Sequence, residues 1–180
     1  MKGMQLKPEG VNQMRTRLMT TAFLFNCDKI LMMKRSADRK LAPGLWTGIG
    51  GHIEPHEIDD PLRSCIREIH EESGIEEDKL EELKLRYIII RQKELEIREQ
   101  FVYFGKTNKR EIINTNEGDL YWISSEVIET LEMPWTIRSM FEHYFEVGIR
   151  TDKHYVSILT LRTDNIPEMV WTELIDPEVV

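Results

Sequence analysis

The stretch "GGHIEPHEIDDPLRSCIREIHEESGI", Gly50 to Ile75, sets seven carboxylates (Glu54, Glu57, Asp59, Asp60, Glu68, Glu71, Glu72) against two arginines, Arg63 and Arg67. Its second half reads as a helix. Asp60 can cap free amide groups, and Pro61 suits the first helical position. Leu62, Ile66 and Ile69 fall at spacings of four and three and form one apolar stripe. Ser73-Gly74 ends the pattern, because Gly takes the left-handed conformation of a C-cap. The predicted helix spans Pro61 to Ser73.

On that helix Glu68, Glu71 and Glu72 stand at i, i+3 and i+4, so they share a face away from the apolar stripe. Like charges at those spacings cost a few tenths of a kcal/mol each, and no Lys or Arg stands four residues on to relieve them. A solvated face is one account of such a run. Carboxylate oxygens are also the preferred ligands of Mg²⁺, which binds through a few carboxylates plus substrate phosphates. That second account also covers the Gly-rich loop ahead of the helix, Glu57 within it, and Arg67 beside the acidic trio. A metal-phosphate site explains the crowding better.

Working outward, "RLMTTAFLFN" and "DKILMMKRS" are apolar runs on either side of Asn26-Cys27-Asp28, a hairpin signal. "APGLWTGIGGHIEPHEIDDP" is too rich in Gly and Pro for regular structure and reads as a functional loop. After the helix come extended runs at "LKLRYIIIRQ", "REQFVYFGK" and "DLYWIS". "EVIETLE" and "TIRSMFEHYFEVG" then read as helices, the second with Ile137, Met140, Phe141, Tyr144 and Phe145 on one face. "HYVSILTLR" and "EMVWTELI" are further extended runs in residues 150–180. Strands mixed with a few helices imply an α/β fold, a mixed sheet between helical layers.

Composition limits the function classes. A 180-residue chain fits one domain, residues 1–180, able to bury about 70% of its unfolded surface. The net charge of -8 and a pI near 5.2 argue against general nucleic-acid binding, so no DNA or RNA duplex is expected as partner. No run of about 18 apolar residues occurs, which implies no membrane span and a cytoplasmic location. Cys27 and Cys65 lie in different elements without metal-ligand spacing and read as reduced thiols.

The acidic stretch resembles the signature of the Nudix hydrolases: Gly, five residues, Glu, seven residues, then Arg-Glu-aliphatic-x-Glu-Glu-x-Gly-aliphatic. Gly51, "HIEPH" and Glu57 match its first part, and "REIHEESGI" from Arg67 to Ile75 matches the second. Nine residues rather than seven separate Glu57 from Arg67. Because Pro61 keeps the family's distance to Arg67, the added pair falls near Ile58-Asp59 in the loop. "ILMMKRS…PGLWTGIGGHIEP" and "NEGDLYWIS" extend the likeness to about residues 17–148.

The resemblance implies a Nudix-type α/β/α sandwich around a mixed β-sheet. It puts metal on Glu68, Glu71 and Glu72 with the carbonyl of Gly50, and gives Glu57 and Arg67 the orienting roles. Glu71 is also a candidate catalytic residue, and Glu117 matches a position that in some relatives binds metal or acts as base, with Glu99 as its rival. The implied cofactor is Mg²⁺, with Mn²⁺ as substitute. Gly51 and Arg35 are the candidate substrate contacts; Arg35, Arg39 and Lys40 could hold terminal phosphates as charge-assisted donors. His52, His56 and His70 share no metal-site spacing and read as loop or surface histidines. Phe25, Trp46 and Trp122 offer stacking surfaces, though Phe25 and Trp122 fit core packing better.

The implied activity is Mg²⁺-dependent cleavage of the pyrophosphate bond of a nucleoside diphosphate-linked compound. A nucleoside triphosphate heads the substrates, an oxidised one such as 8-oxo-dGTP included, giving monophosphate and pyrophosphate. ADP-ribose or a dinucleoside polyphosphate comes second, and a non-catalytic nucleotide sensor is the reading from another class. The resemblance is also compatible with a homodimer.

Overall fold

The structure is a computed structural model describing residues 13–37 and 43–177. Strand β1 (Arg15–Asn26) turns through Cys27, at φ 55°, into β2 (Lys29–Arg35). The short β3 (Trp46–Thr47) precedes helix α1 (Pro61–Ser73), and β4 (Glu81–Lys93) and β5 (Glu96–Lys106) follow as a hairpin. Strand β6 (Gly118–Ser124) leads to α2 (Trp135–Glu146). The tail adds β7 (Tyr155–Ile158), β8 (Thr160–Leu161), β9 (Pro167–Glu168) and β10 (Thr172–Glu173).

Eight strands make one mixed sheet in the order β10-β7-β4-β5-β1-β2-β3, with β6 also on β2. Helix α1 covers one face over Ala22, Leu24, Leu31, Met33 and Tyr103. Helix α2 covers the other, where Ile137, Met140 and Phe141 pack with Phe23, Val102 and Phe104. Alternate residues of β1 and β5 thus serve opposite layers, as strand geometry requires. The expected sandwich is observed.

One irregularity positions the site. Strands β1 and β2 pair only at Phe25↔Ile30 and Asn26↔Lys29, then diverge. Residues 49–53 fill the gap along the bared edge of β1. Ala22 N–H donates to Ile49 O (2.6 Å), Thr20 N–H to Gly51 O (2.9 Å) and Ile53 N–H to Leu18 O (3.1 Å). The Gly-rich loop is therefore held like a strand, its backbone groups satisfied by β1.

Helix α1 occupies its predicted span. The Asp60 carboxylate accepts from Arg63 N–H (3.1 Å), and Gly74, at φ 70°, donates to His70 O. Its buried face differs from the expected stripe: Ser64, Cys65, Ile69, Glu72 and Ser73 are covered, whereas Leu62 is 38% exposed. Leu62 points within about 20° of Ile69 at 100° per residue, but it lies in the first turn, before burial begins at Ser64.

"EVIETLE" also departs from expectation, forming a 3₁₀ segment, Ser125–Thr130, rather than an α-helix. Trp46 N–H draws Glu132 O toward β3 (2.8 Å), and Arg138 donates to Glu129 O and Leu131 O (both 2.7 Å). Those partners satisfy the carbonyls that a longer helix would use. In the tail, β7 joins β4 in parallel, and Tyr155 and Trp171 pack on Tyr87 at ring distances of 5.8 and 4.9 Å. The run "HYVSILTLR" breaks after Ile158, and β8 leaves the sheet to pair with β9.

Candidate active site

The Pro55–Glu57 turn drops the Glu57 side chain under the loop, where it is 2% exposed. Buried carboxylates need a partner. Arg67 supplies one with two parallel bonds, Nε to Oε1 at 3.0 Å and Nη2 to Oε2 at 2.9 Å. That bidentate pair draws the Glu57 pKa down from 4.5 to about 2, against the opposing effect of burial. The two added residues occupy the turn between Glu57 and Asp60, outside the helix, so Glu57 and Arg67 keep their contact.

Arg67 spends its other donors on the same site. Nη1 reaches Glu68 Oε1 (2.8 Å) and Glu71 Oε2 (3.2 Å), and Nη2 reaches His52 O (3.1 Å) and Ser64 Oγ (3.2 Å). One guanidinium thus joins three carboxylates and the loop backbone. Burial raises the Glu68 pKa, with Arg67 opposing. Glu72 is 7% exposed, not on an open face, and accepts from Gly50 N–H at 2.9 Å. Glu71 is the open member, its side chain 56% exposed.

The two glycines of the loop are demanded by close approach. A Cβ on Gly50 would overlap Thr20 O, and one on Gly51 would overlap the Glu68 carboxylate. Loop and helix therefore touch without intervening side chains.

A cleft of about 470 Å³ lies beside this cluster. Glu68, Glu71, Glu72, Gly50, Gly51 and Arg67 form one wall. Met19, Thr20, Thr21 and Gln100 form the floor, and Pro134, Thr136 and Ile137 face them from the start of α2. Arg35 and Glu117 complete the rim; they are neighbours, since Arg35 pairs with Gly118 and Ser36 N–H donates to Glu117 O. Glu99 stands on the opposite face of β5 from Gln100 and lines no part of the cleft.

The structure thus brings together Gly50, Gly51, Glu57, Arg67, Glu68, Glu71, Glu72, Arg35 and Glu117. Arg39 and Lys40 lie outside the described residues. Phe25 and Trp46 pack against the α2-side core, and Trp122 against the α1-side core, its Nε1 donating to Arg110 O. His52 lines the cleft and contacts Arg17 (2.7 Å). Sequence reading missed Met19, Thr20, Thr21, Thr47, Gln100, Thr136 and Ile137, which converge only through the sheet and α2. The hydroxyls of Thr20 and Thr47, both lining the cleft, are buried without a partner among the described residues.

Among the described residues no three acidic, histidine or cysteine side chains already converge as a metal cage. The donor set nevertheless suits a hard cation: three carboxylates and a backbone carbonyl, all oxygen. Glu68 and Glu71 are at present bridged by Arg67 Nη1.

The architecture is a mixed-sheet α/β sandwich with an arginine-tied acidic helix beside a cleft. A family profile described as the NUDIX domain matches residues 15–144, and the chain belongs to the Nudix family. Solved structures of similar fold include a MutT protein from Bacillus halodurans: TM-score 0.63, 21% identity, 86% of this chain and 97% of that one. A MutT protein from Methanosarcina mazei Go1 matches at TM-score 0.65 and 20% identity, over 77% and 99%. An Ap4A hydrolase from C. elegans matches at TM-score 0.59 and 15% identity, over 76% and 99%. No curated protein matches the chain by sequence. No described helix is long and apolar enough to cross a membrane.

Proposed function

We propose that this protein is a divalent-metal-dependent pyrophosphohydrolase that cleaves nucleoside diphosphate-linked compounds, with nucleoside triphosphates, oxidised purine forms included, as its foremost substrates. The observation that carries the reading is the Arg67 guanidinium holding Glu57, Glu68 and Glu71 beside a cleft that Glu72 also lines. A volume of about 470 Å³ lies within the usual range of small-ligand sites. The kinship in fold with two MutT proteins and an Ap4A hydrolase agrees with a nucleotide substrate.

Glu68, Glu71 and Glu72, with the carbonyl of Gly50, would hold the cation, and we assign Mg²⁺, with Mn²⁺ as substitute. The ion would offset charge on the diphosphate and lower the pKa of a water. Glu57 is a positioning residue: ionised throughout the neutral range, it fixes Arg67, which in turn fixes the rotamers of Glu68 and Glu71. Gly50 N–H orients Glu72. Arg35, at the rim, would meet the terminal phosphates, and the Gly51 backbone would be a further substrate contact. Glu117, in the lining of the same cleft, would accept a proton from water; Glu99 lines no part of it.

A product assay over nucleoside triphosphates, ADP-ribose and dinucleoside polyphosphates, run with Mg²⁺ and with excess EDTA, tests the reading. Release of monophosphate and pyrophosphate that stops with chelator is expected. Turnover undiminished in EDTA sinks the metal assignment, and tight binding without any turnover identifies a nucleotide sensor instead.

A further inference from the structure

Three arginines lie in one row across the sheet. On β1, β5 and β4, Arg17 pairs with Arg98, and Arg98 with Arg91. Residues paired this way project to the same face, and like charges placed opposite each other are destabilising. All three are half-buried. One carboxylate serves them: Glu96 accepts from Arg17 Nε through Oε1 (2.8 Å) and from Arg98 Nε through Oε2 (2.6 Å). The Arg91 side chain makes no hydrogen bond or ion pair among the described residues. Burial, then the nearby Arg98, holds its pKa below the usual arginine range, with the Glu96 charge opposing. A half-buried cation that its one nearby carboxylate, already shared by Arg17 and Arg98, does not hydrogen-bond is costly. Its presence in a chain of net charge -8 calls for an anion.

The row adjoins the cleft of the candidate site without lining it. The adjacent row toward the acidic helix is Met19, Gln100 and Ile89, of which Met19 and Gln100 form the cleft floor. Two residues along a strand are about 7 Å. His52 links the two regions, lining the cleft while its ring meets Arg17 Nη1 at 2.7 Å. Beyond the row a second cavity of about 630 Å³ opens, where Arg17 and Arg98 meet Arg15 and Lys93, with Glu94 and Glu96 also in its lining. From Thr20, where Gly51 is bonded, to Arg17 is three residues, or about 10 Å.

We propose that this row is a subsite for a phosphate group carried by the substrate at the end remote from the diphosphate that is cleaved. The proposal rests on the pyrophosphohydrolase reading above and adds to its substrates nucleotides bearing a second, distal phosphate. Planar guanidinium groups match phosphate oxygens in paired bonds. A single arginine can read the edge of a guanine; three in register, with one carboxylate among them, match a dianion better than a neutral base.

Matched substrates that differ by one phosphate test it: NADPH against NADH, and coenzyme A against dephospho-coenzyme A. In the wild type the member with the extra phosphate should have a kcat/KM higher by at least about tenfold in one pair, through KM. Arg91→Gln should bring that ratio near one, and Arg91→Lys should keep part of it. Calorimetry in EDTA gives a readout free of turnover: adenosine 3′,5′-bisphosphate should bind the wild type more tightly than adenosine 5′-monophosphate, and Arg91→Gln should erase the difference. Its melting temperature should not fall, since a like charge is removed. Ratios near one in both wild-type pairs, a ratio untouched by Arg91→Gln, or a preference that follows the base rather than the phosphate overturns the proposal. A calorimetric difference lost in Arg91→Gln, with no compound hydrolysed, upholds the subsite and overturns the hydrolase reading instead.

Discussion

Replacing Glu57 with Gln removes the charge that anchors Arg67 while keeping the shape. In the folded protein the Glu57 carboxyl holds its proton less tightly than usual, with a pKa of about 2 instead of 4.5, chiefly because of Arg67. At about 1.4 kcal/mol per tenfold in proton affinity, the full effect is roughly 3 kcal/mol. The Arg67 side chain is 24% exposed and also serves Glu68 and Glu71, so screening and sharing reduce the expected loss to about 1–2 kcal/mol. Because the folded-state pKa is depressed, the contribution is complete above 4.5 and fades as pH falls toward 2. Urea unfolding of wild type and Glu57→Gln in EDTA, from about pH 7 down to about pH 3, should therefore show a gap that is steady at neutral pH and narrows in acid. A gap that does not change with pH, or no gap at neutral pH, refutes the assignment.

Glu72→Gln should lower metal-dependent turnover by at least about a hundredfold, while the melting temperature stays within a few degrees because the Gly50 bond survives; turnover at the original rate removes Glu72 from the ligand set. Gly51→Ala should push the Glu68 carboxylate aside and cost about tenfold or more in kcat with the fold intact, since small misplacements are expensive in catalysis; a wild-type kcat would show that Glu68 need not hold its position. Deleting Ile58 and Asp59 should leave a folded, Mg²⁺-dependent enzyme, because the pair sits in a turn and Ile58 is 60% exposed; a folded deletion variant without hydrolysis would show that the turn sets the helix register.

Whatever depends on neighbours in the chain was legible beforehand. The cap at Asp60, Pro61 and Gly74 delimit α1, and the helical spacing of Glu68, Glu71 and Glu72 sets all three in the lining of one cleft. The burial of Glu57 was not legible, because an acid in a Gly-rich loop looks exposed until Arg67 is seen above it. Nor was the floor of the cleft: Met19, Thr21 and Gln100 meet only because β1 pairs with β5, a pairing that no local pattern announces. "EVIETLE" has helical spacing, yet β3 and Arg138 compete for its carbonyls. Leu62 shows the remaining limit, since periodicity reports direction around a helix and not how far along it the sheet extends.

The parallel pairing of β1 with β5 has a consequence for how the chain acquires its shape. Arg15 finds Glu96 and Phe25 finds Lys106, so β1 waits for residues made much later. Pairings this distant in sequence slow folding and leave edges open meanwhile. During synthesis the loop at 49–53 can lie against β1, but β1 has no partner on its other side until β5 emerges. A nascent chain halted after Ile75 would carry the complete signature and lack the platform that aims it, leaving an acidic helix with nothing to hold.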